Sequence, residues 1–308
     1  MSDAVTFHHV DVFSEQPFSG NSLAVFVDAP DWDGSQMAEI TRELRHFETI
    51  FVAAQEPGSD NRRVRVFDLE GELDFAGHPL LGAAGVLHRL ANPEVGDHRT
   101  WHFETTARTV AVDTVTAADG RITGVLDQGR PEFLGQPTDT RAIAAALGLD
   151  PADLDQGNPP QVWSTGLRYL IVPVNGASAL SRARISRSDF SEFLDSLGAQ
   201  FVYVLALQPL EGRHWNNDGI LEDVATGSAA GCVAAYLLDH GLTRSGASEI
   251  LRQGRFVGRP SELTIAAFGR PGDIERVTVA GGVSEVAIGH LVAVPRGTRT
   301  LNHPLHQS

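Results

Sequence analysis

Apolar and polar positions alternate along the chain in a way that predicts a sequence of strands broken by a few helices. Val5 to Phe13 and Ser22 to Val27 are dense in β-branched and aromatic residues, and predict two strands joined by the turn Pro17-Phe18-Ser19-Gly20-Asn21. From Ser35 to Arg45 the period changes. Met37, Ile40, Thr41 and Leu44 fall on one face of an amphipathic helix, with Ser35 as its expected N-cap. Strands are predicted at Thr49 to Ala54 and at Arg63 to Phe67, where Val64 and Val66 alternate with Arg63 and Arg65. A helix from Pro79 to Leu90 follows, then strands around Thr100 to Glu104, Thr109 to Val115 and Arg121 to Leu126. The second half repeats this grammar, with helices near Thr138 to Leu147, Arg187 to Leu197 and Ser228 to Asp239. Its strands are expected at Gln161 to Ser164, Tyr169 to Val174, Phe201 to Ala206, Ile250 to Gln253, Glu262 to Ala267, Val277 to Ala280 and Val283 to Ile288. The tail from Pro295 to Ser308 has little apolar content and reads as loose.

Two segments at corresponding places in the halves resemble each other. Asp74-Phe75-Ala76-Gly77-His78-Pro79-Leu80-Leu81-Gly82 and Asp223-Val224-Ala225-Thr226-Gly227-Ser228-Ala229-Ala230-Gly231 share Asp, Ala and the late Gly, and each opens an Ala-rich apolar helix. An acidic residue, a small-residue turn and a helix start form an anion-binding corner. Two such corners suggest a duplicated α+β unit with one cleft between the copies.

The chain has 308 residues, which makes two domains the prior. Its apolar runs, such as Phe201 to Leu207, are too short to span a bilayer, so no membrane partner is expected. The start Met1-Ser2-Asp3-Ala4 shows no signal-peptide pattern, and the single Cys232 permits no intrachain disulfide; both suit a cytoplasmic location. A net charge of −15 argues against nucleic acid and opposes long-range attraction of an anionic substrate. All 24 basic residues are arginine, so Schiff-base chemistry, a pyridoxal-phosphate lysine and a P-loop lysine are excluded. The twelve histidines show no metal-ligand spacing, and adjacent His8 and His9 on a strand face opposite ways, so no metal is expected. Neither a dinucleotide fingerprint nor a nucleophile elbow is present.

Three ionisable residues stand out. Glu48 lies between a helix end and an apolar strand. Two readings are open for it: a strand-edge glutamate paired with an arginine, or a buried acid/base whose pKa burial raises towards neutrality. His78 precedes Pro79, expected at the first helical position, and is either a proton-handling imidazole in the cleft or a capping residue. Asp223 precedes the second helix, where a structural N-terminal acid is the plain reading and a site carboxylate the other. Gly227 and Ser228 open that helix and offer N–H and hydroxyl donors to a carboxylate.

Several motifs follow one another along the chain. They are Asp11-Val12-Phe13 with Pro17-Phe18-Ser19-Gly20-Asn21, Glu48-Thr49 with Phe51-Val52, and Ala76-Gly77-His78-Pro79. Then come Glu222-Asp223, Ala225-Thr226-Gly227-Ser228-Ala229, Gln253-Gly254 and Gly258-Arg259-Pro260-Ser261. In kind and order they resemble the PhzF family of phenazine-biosynthesis-like isomerases, within the diaminopimelate-epimerase fold. That resemblance implies an α+β protein of two pseudo-symmetric domains, each a curled, mostly antiparallel sheet around a central helix. The domains would be 1–127 plus about 287–308, with the last strand returning to the first domain, and 128–286. It also implies Glu48 as proton shuttle, His78 and Asp223 as assisting groups, and Asn21, Gly77, Gly227 and Ser228 at the substrate. A homodimer is a further implication.

The chain departs from the family pattern at Asp74, Val224 and Ser22, each where the family usually has proline, and at Trp215 in Arg213-His214-Trp215. Related epimerases use two cysteines, whose places here are taken by Ala76 and Thr226; Cys232 is expected to be packed inside its helix. Stereoinversion needs a base on one face and an acid on the other, whereas a 1,3-type proton shift needs one group. A single Glu48 therefore fits a cofactor-independent isomerase acting on a small unsaturated amino or hydroxy carboxylate. The rivals are an epimerase or dehydratase of the same fold, and a binding protein without turnover.

Overall fold

A computed structural model of the chain describes residues 4–56, 61–74 and 76–297. In chain order the first half carries β1 (Val5–Val12), β2 (Asn21–Ala29), α1 (Gly34–Leu44), β3 (Glu48–Ala53), β4 (Asn61–Phe67), β5 (Glu72–Leu73), α2 (Gly77–Leu90), β6 (His98–Glu104), β7 (Thr109–Thr116) and β8 (Ile122–Gly129). Next come β9 (Glu132–Gly135), α3 (Thr140–Ala146), β10 (Gln161–Ser164), β11 (Arg168–Val174), α4 (Gly176–Arg182) and α5 (Phe190–Ser196). The chain continues with β12 (Phe201–Leu207), β13 (Leu210–Arg213), α6 (Gly227–Asp239), β14 (Glu249–Gln253), β15 (Ser261–Arg270) and β16 (Asp273–Leu291).

The strands form one mixed sheet that curls twice. Strands β1, β2, β3, β4, β6, β7, β8 and β16 pair in that order, and β16 pairs β1 again, so the first curl closes into a ring. The second curl runs from β16 through β15, β14, β13, β12, β11 and β10 to β9. β16 serves both curls because it is long: it meets β15 up to Ala280, β8 from Val277 to Val283 and β1 from Val283 to Leu291.

One helix fills each curl. A helix apolar on every side is stable only when surrounded, and α2 is buried from His78 to His88, as α6 is from Ala229 to Leu238. Small residues let the strands approach. A Cβ on Gly85 of α2 would stand 2.7 Å from Cβ of Val283 in β16. The one polar side chain deep on α2, His88, is satisfied on both nitrogens, by Thr114 Oγ1 at 2.6 Å and Thr116 Oγ1 at 2.8 Å on β7. The largest apolar cluster includes residues of both central helices, so the two curls share one core.

Four sequence expectations need correction. The strands expected at Val277 to Ala280 and Val283 to Ile288 are one 19-residue strand running through Gly281-Gly282. That glycine pair reads as a break, but it is a low point in the sheet. The Phe13 ring lies against Gly281, and a Cβ on Gly282 would be 2.6 Å from the Ser14 carbonyl oxygen. Second, α1 is capped by Asp33, not Ser35. The Gln36 N–H donates to Asp33 Oδ1 at 2.9 Å, the Asp33 N–H donates to Gln36 Oε1 at 3.0 Å, and Ser35 lies within the first turn. Third, α2 starts at Gly77, so Pro79 is its third residue and its missing N–H is still one that the helix could not satisfy internally. Fourth, four short elements, β5, β9, α4 and β13, carry too few residues for a period to show, and lie outside the expected set. Of the tail expected to be loose, residues 298–308 lie outside the described residues, as does Phe75 of the first corner.

The Asp33 box anchors α1 over the aromatic cluster of Phe26, Trp32, Phe51 and Phe67. Asp33→Ala is therefore expected to destabilise the protein by about 1 kcal/mol, read as a lower urea midpoint with unchanged slope.

Candidate active site

The two central helices begin at one place. The capping residues Ala76 of α2 and Thr226 of α6 provide no side-chain acceptor to the first turn. Uncapped first-turn N–H groups carry the positive end of the helix dipole and seek an anion. Ala76, Gly77 and His78 from one helix start and Ala225, Thr226, Gly227 and Ser228 from the other line a single cavity of about 600 Å³. Asn21, Glu48 and Asp223 line it too, so every candidate site residue meets there.

Glu48 is the first residue of β3, held in parallel register opposite Leu23 of β2. It is 8 % exposed and its titratable neighbour is the His78 imidazole, not an arginine, which removes the strand-edge reading. Glu48 Oε2 lies 3.2 Å from His78 Nδ1, outside hydrogen-bond geometry, and is buried without a hydrogen-bond partner. Burial first, then the nearby charges of Asp223 and Asp68, push the carboxyl up to about 8. Burial pushes the His78 imidazole down to about 3. Both shifts favour neutral forms, so at neutral pH the pair is a carboxylic acid beside an uncharged imidazole. His78 Nε2 is also buried without a partner.

The second corner is held by Gln253. Its amide donates to the Asp223 carbonyl and to Thr226 Oγ1, both at 2.9 Å, and its oxygen accepts from the Thr226 N–H at 3.1 Å and the Tyr203 hydroxyl at 2.9 Å. Thr226 in turn donates its hydroxyl to Asp223 Oδ2 at 2.6 Å, while Asp223 Oδ1 is buried with no partner. Burial raises the Asp223 pKa, against the opposing pull of His214. Asn21 donates to the Ala225 carbonyl at 3.3 Å, Ser228 shares a 2.8 Å hydrogen bond with the Tyr169 hydroxyl, and the Gly227 carbonyl accepts from Gln128 at 2.9 Å.

The other family motifs clasp the halves around this site. Arg259 donates to Asp11 Oδ1 at 2.7 Å and to the Gly20 carbonyl at 2.8 Å, next to Asn21. The wall also contains side chains that no motif flagged: Asp68, Arg108, Gln128, Tyr169, Phe201 and His214. Tyr169 and Phe201 were expected only as the first residues of strands, and His214 appeared only as the middle residue of Arg213-His214-Trp215. Cys232 is fully buried, with burial pushing its thiol up to about 12, and does not line the cavity. Ala76 and Thr226 occupy the two helix starts. Among the described residues, no group of three or more His, Cys, Asp or Glu side chains is placed to hold a metal, and no helix is long and apolar enough to cross a membrane.

The family model described as phenazine biosynthesis-like protein matches residues 10–289. The chain belongs to that family. It is 33% identical over 278 residues to the trans-2,3-dihydro-3-hydroxyanthranilate isomerase of Pseudomonas fluorescens, covering 88% of this chain and 94% of the relative. A solved structure described as a predicted epimerase from Pseudomonas aeruginosa is 44% identical, with a TM-score of 0.82 over 94% of this chain and 99% of that one. A phenazine biosynthesis protein of the PhzF family from Bacillus anthracis has the same TM-score of 0.82 at 23% identity, covering 94% of this chain and 100% of that one. The fold is the α+β diaminopimelate-epimerase type, and the chain is a PhzF-like isomerase.

Proposed function

We propose that the protein is a cofactor-independent isomerase that shifts a proton and a double bond in a small unsaturated amino or hydroxy carboxylate, with Glu48 as the acid/base. The observation that carries this reading is the buried Glu48 carboxyl, raised to about 8, in a cavity faced by two uncapped helix starts. The helix N–H groups bind the substrate carboxylate locally, which a chain of net charge −15 needs. They also stabilise the charge that spreads into the conjugated system when a C–H proton leaves. Ionised Glu48 takes that proton, the electron pair moves along the conjugated carbons, and Glu48 returns a proton to a carbon further along. His78 lies beside Glu48 as an uncharged imidazole, and Asp223 faces the substrate from the other half. With no lysine in the chain, an imine-forming cofactor has no residue to attach to. Two facing thiols, the apparatus of the cysteine epimerases, are missing among the described cavity residues.

The P. fluorescens relative names the first substrate to try. Incubated in D2O with trans-2,3-dihydro-3-hydroxyanthranilate and followed by NMR, the enzyme is expected to give the shifted isomer with deuterium at the newly protonated carbon. Deuterium appearing with inversion at a single carbon would replace this reading by epimerisation. Binding without any exchange would make the chain a binding protein.

A further inference from the structure

The cavity is larger than the proton chemistry requires. A benzene-sized ligand fills an apolar cavity of about 150 Å³, so one small ring carboxylate takes up roughly a third of the space of about 600 Å³ here. The groups assigned to the chemistry are also the buried ones. Glu48, His78 and Asn21 are buried, whereas Phe47 is 37 % exposed and Leu167 40 % exposed, and both line the same cavity, one from each half. Half-buried Leu73 and Phe201 join them, again one from each half. Apolar surface left in water inside a concave site is stabilised when an apolar group covers it.

These side chains are held in place. Leu167 stands in the turn between β10 and β11, where Gly166 has a φ of +130° that a side chain would strain. The Thr165 hydroxyl donates to the Ser228 carbonyl at 3.2 Å, which ties that turn to the start of α6. Phe47 belongs to the short link from α1 to β3. His46 in the same link shares a 2.7 Å hydrogen bond with Ser22 Oγ, at a position where the family usually has proline. The Phe201 ring lies 5.5 Å from that of Tyr169, centroid to centroid. The rim acids already have donors. The Thr106 hydroxyl reaches Asp74 Oδ1 at 3.2 Å, and the Glu70 and Gly71 N–H groups reach Asp68 Oδ1 at 2.8 Å. The wall that stands uncovered is chiefly apolar.

Resting on the isomerase reading above, we infer that Phe47, Leu73, Leu167 and Phe201 form an apolar subsite, and that the substrate is a carboxylate bearing an aromatic substituent that occupies it. The carboxylate lies at the helix starts and the reacting carbons lie at Glu48, while the substituent extends towards the exposed rim. Phe47 and Leu167 are then specificity-determining residues.

The test uses 3-hydroxyanthranilate and its 4-phenyl and 5-phenyl derivatives, which grow in two directions away from the carboxylate, with calorimetry on the whole chain. The wild type is expected to bind at least one phenyl derivative about tenfold or more tightly than the parent. Equal or weaker binding of both derivatives overturns the inference and leaves the isomerase reading intact. Leu167→Ser and Phe47→Ser, one from each half, should each bring the preference down to about threefold or less. Both side chains stand partly in water, so neither change empties a core, and binding of 3-hydroxyanthranilate reports a folded site. A variant that binds none of the three is replaced by Leu167→Ala or Phe47→Ala and judged by the same ratio. A preference undiminished at both positions seats the phenyl group elsewhere and overturns the subsite. If the wild type binds none of the three, the inference falls, and the D2O exchange above judges the isomerase reading separately.

Discussion

Glu48→Gln is expected to lower kcat/KM on an isomerisable substrate by about 10³- to 10⁴-fold, the usual worth of a general acid/base. The amide keeps the shape of the side chain but cannot take a proton from carbon. Because Gln occupies the same volume beside His78, binding of 3-hydroxyanthranilate should persist, so the loss should fall in kcat. Deuterium incorporation in D2O should vanish with it. Cys232→Ala is the control: the thiol is fully buried and away from the cavity, so exchange should persist. A Glu48→Gln enzyme that still exchanged would remove Glu48 from the chemistry.

The raised pKa adds a pH signature. If ionised Glu48 takes the first proton, kcat/KM in the wild type should fall about tenfold per unit as pH drops below about 8. Stability should run the other way. A carboxyl whose pKa rises from 4.5 to about 8 on folding binds its proton more tightly in the folded state. Between those values the unfolded chain holds fewer protons, so this group's contribution to stability declines as pH rises through the window. Glu48→Gln cannot ionise and escapes that decline. Its thermal midpoint should match the wild type near pH 4.5 and exceed it above pH 8. An activity that collapses while stability at pH 8 rises would be the mark of a buried catalytic acid.

Arg259→Met carries the largest expected loss of stability, about 3–5 kcal/mol, since it leaves a buried carboxylate without its counter-ion. Asp11 is 1 % exposed, and its Oδ1 is 2.7 Å from Arg259 Nη2. Without Arg259, Asp11 keeps the Phe18 N–H, 2.7 Å from Oδ2, as its hydrogen-bond donor. Arg259 also holds the Gly20 carbonyl at 2.8 Å, beside the Asn21 that reaches the second corner, so catalysis should weaken as well. The urea midpoint measures the first effect and kcat the second. Adding Asp11→Asn to Arg259→Met should recover part of the stability, because the stranded charge is then absent. Losses that simply add would show that the pair is not coupled.

Much of this arrangement was legible along the chain. The alternating runs placed most strands within a few residues, and the all-apolar stretches at α2 and α6 marked helices that must be enclosed. The two corners named the segments that meet at the cavity, and the motif order named the family. What could not be read concerns contacts between distant segments. Ser35 and Asp33 are both good caps, and only the return hydrogen bond from Gln36 decides between them. Gly281-Gly282 has the composition of a turn, and only the approach of Phe13 and Ser14 makes it the middle of a strand. Tyr169, Phe201, Gln128 and His214 carry no spacing signal, because they reach the cavity from separate strands.

The sequence by itself determined where most of the helices and strands lie, that a duplicated α+β unit surrounds two apolar helices, and that Glu48 is a carboxyl in apolar company. Periodicity, caps and burial preference act over a few residues, and that information is local. Only the tertiary structure decided that Glu48 faces His78 instead of an arginine, that its pKa rises to about 8, and that His214 stands beside Asp223. Those properties arise from water being excluded by residues that the returning strand β16 and the second curl bring close, and long-range closure of that kind leaves no periodic trace in the chain.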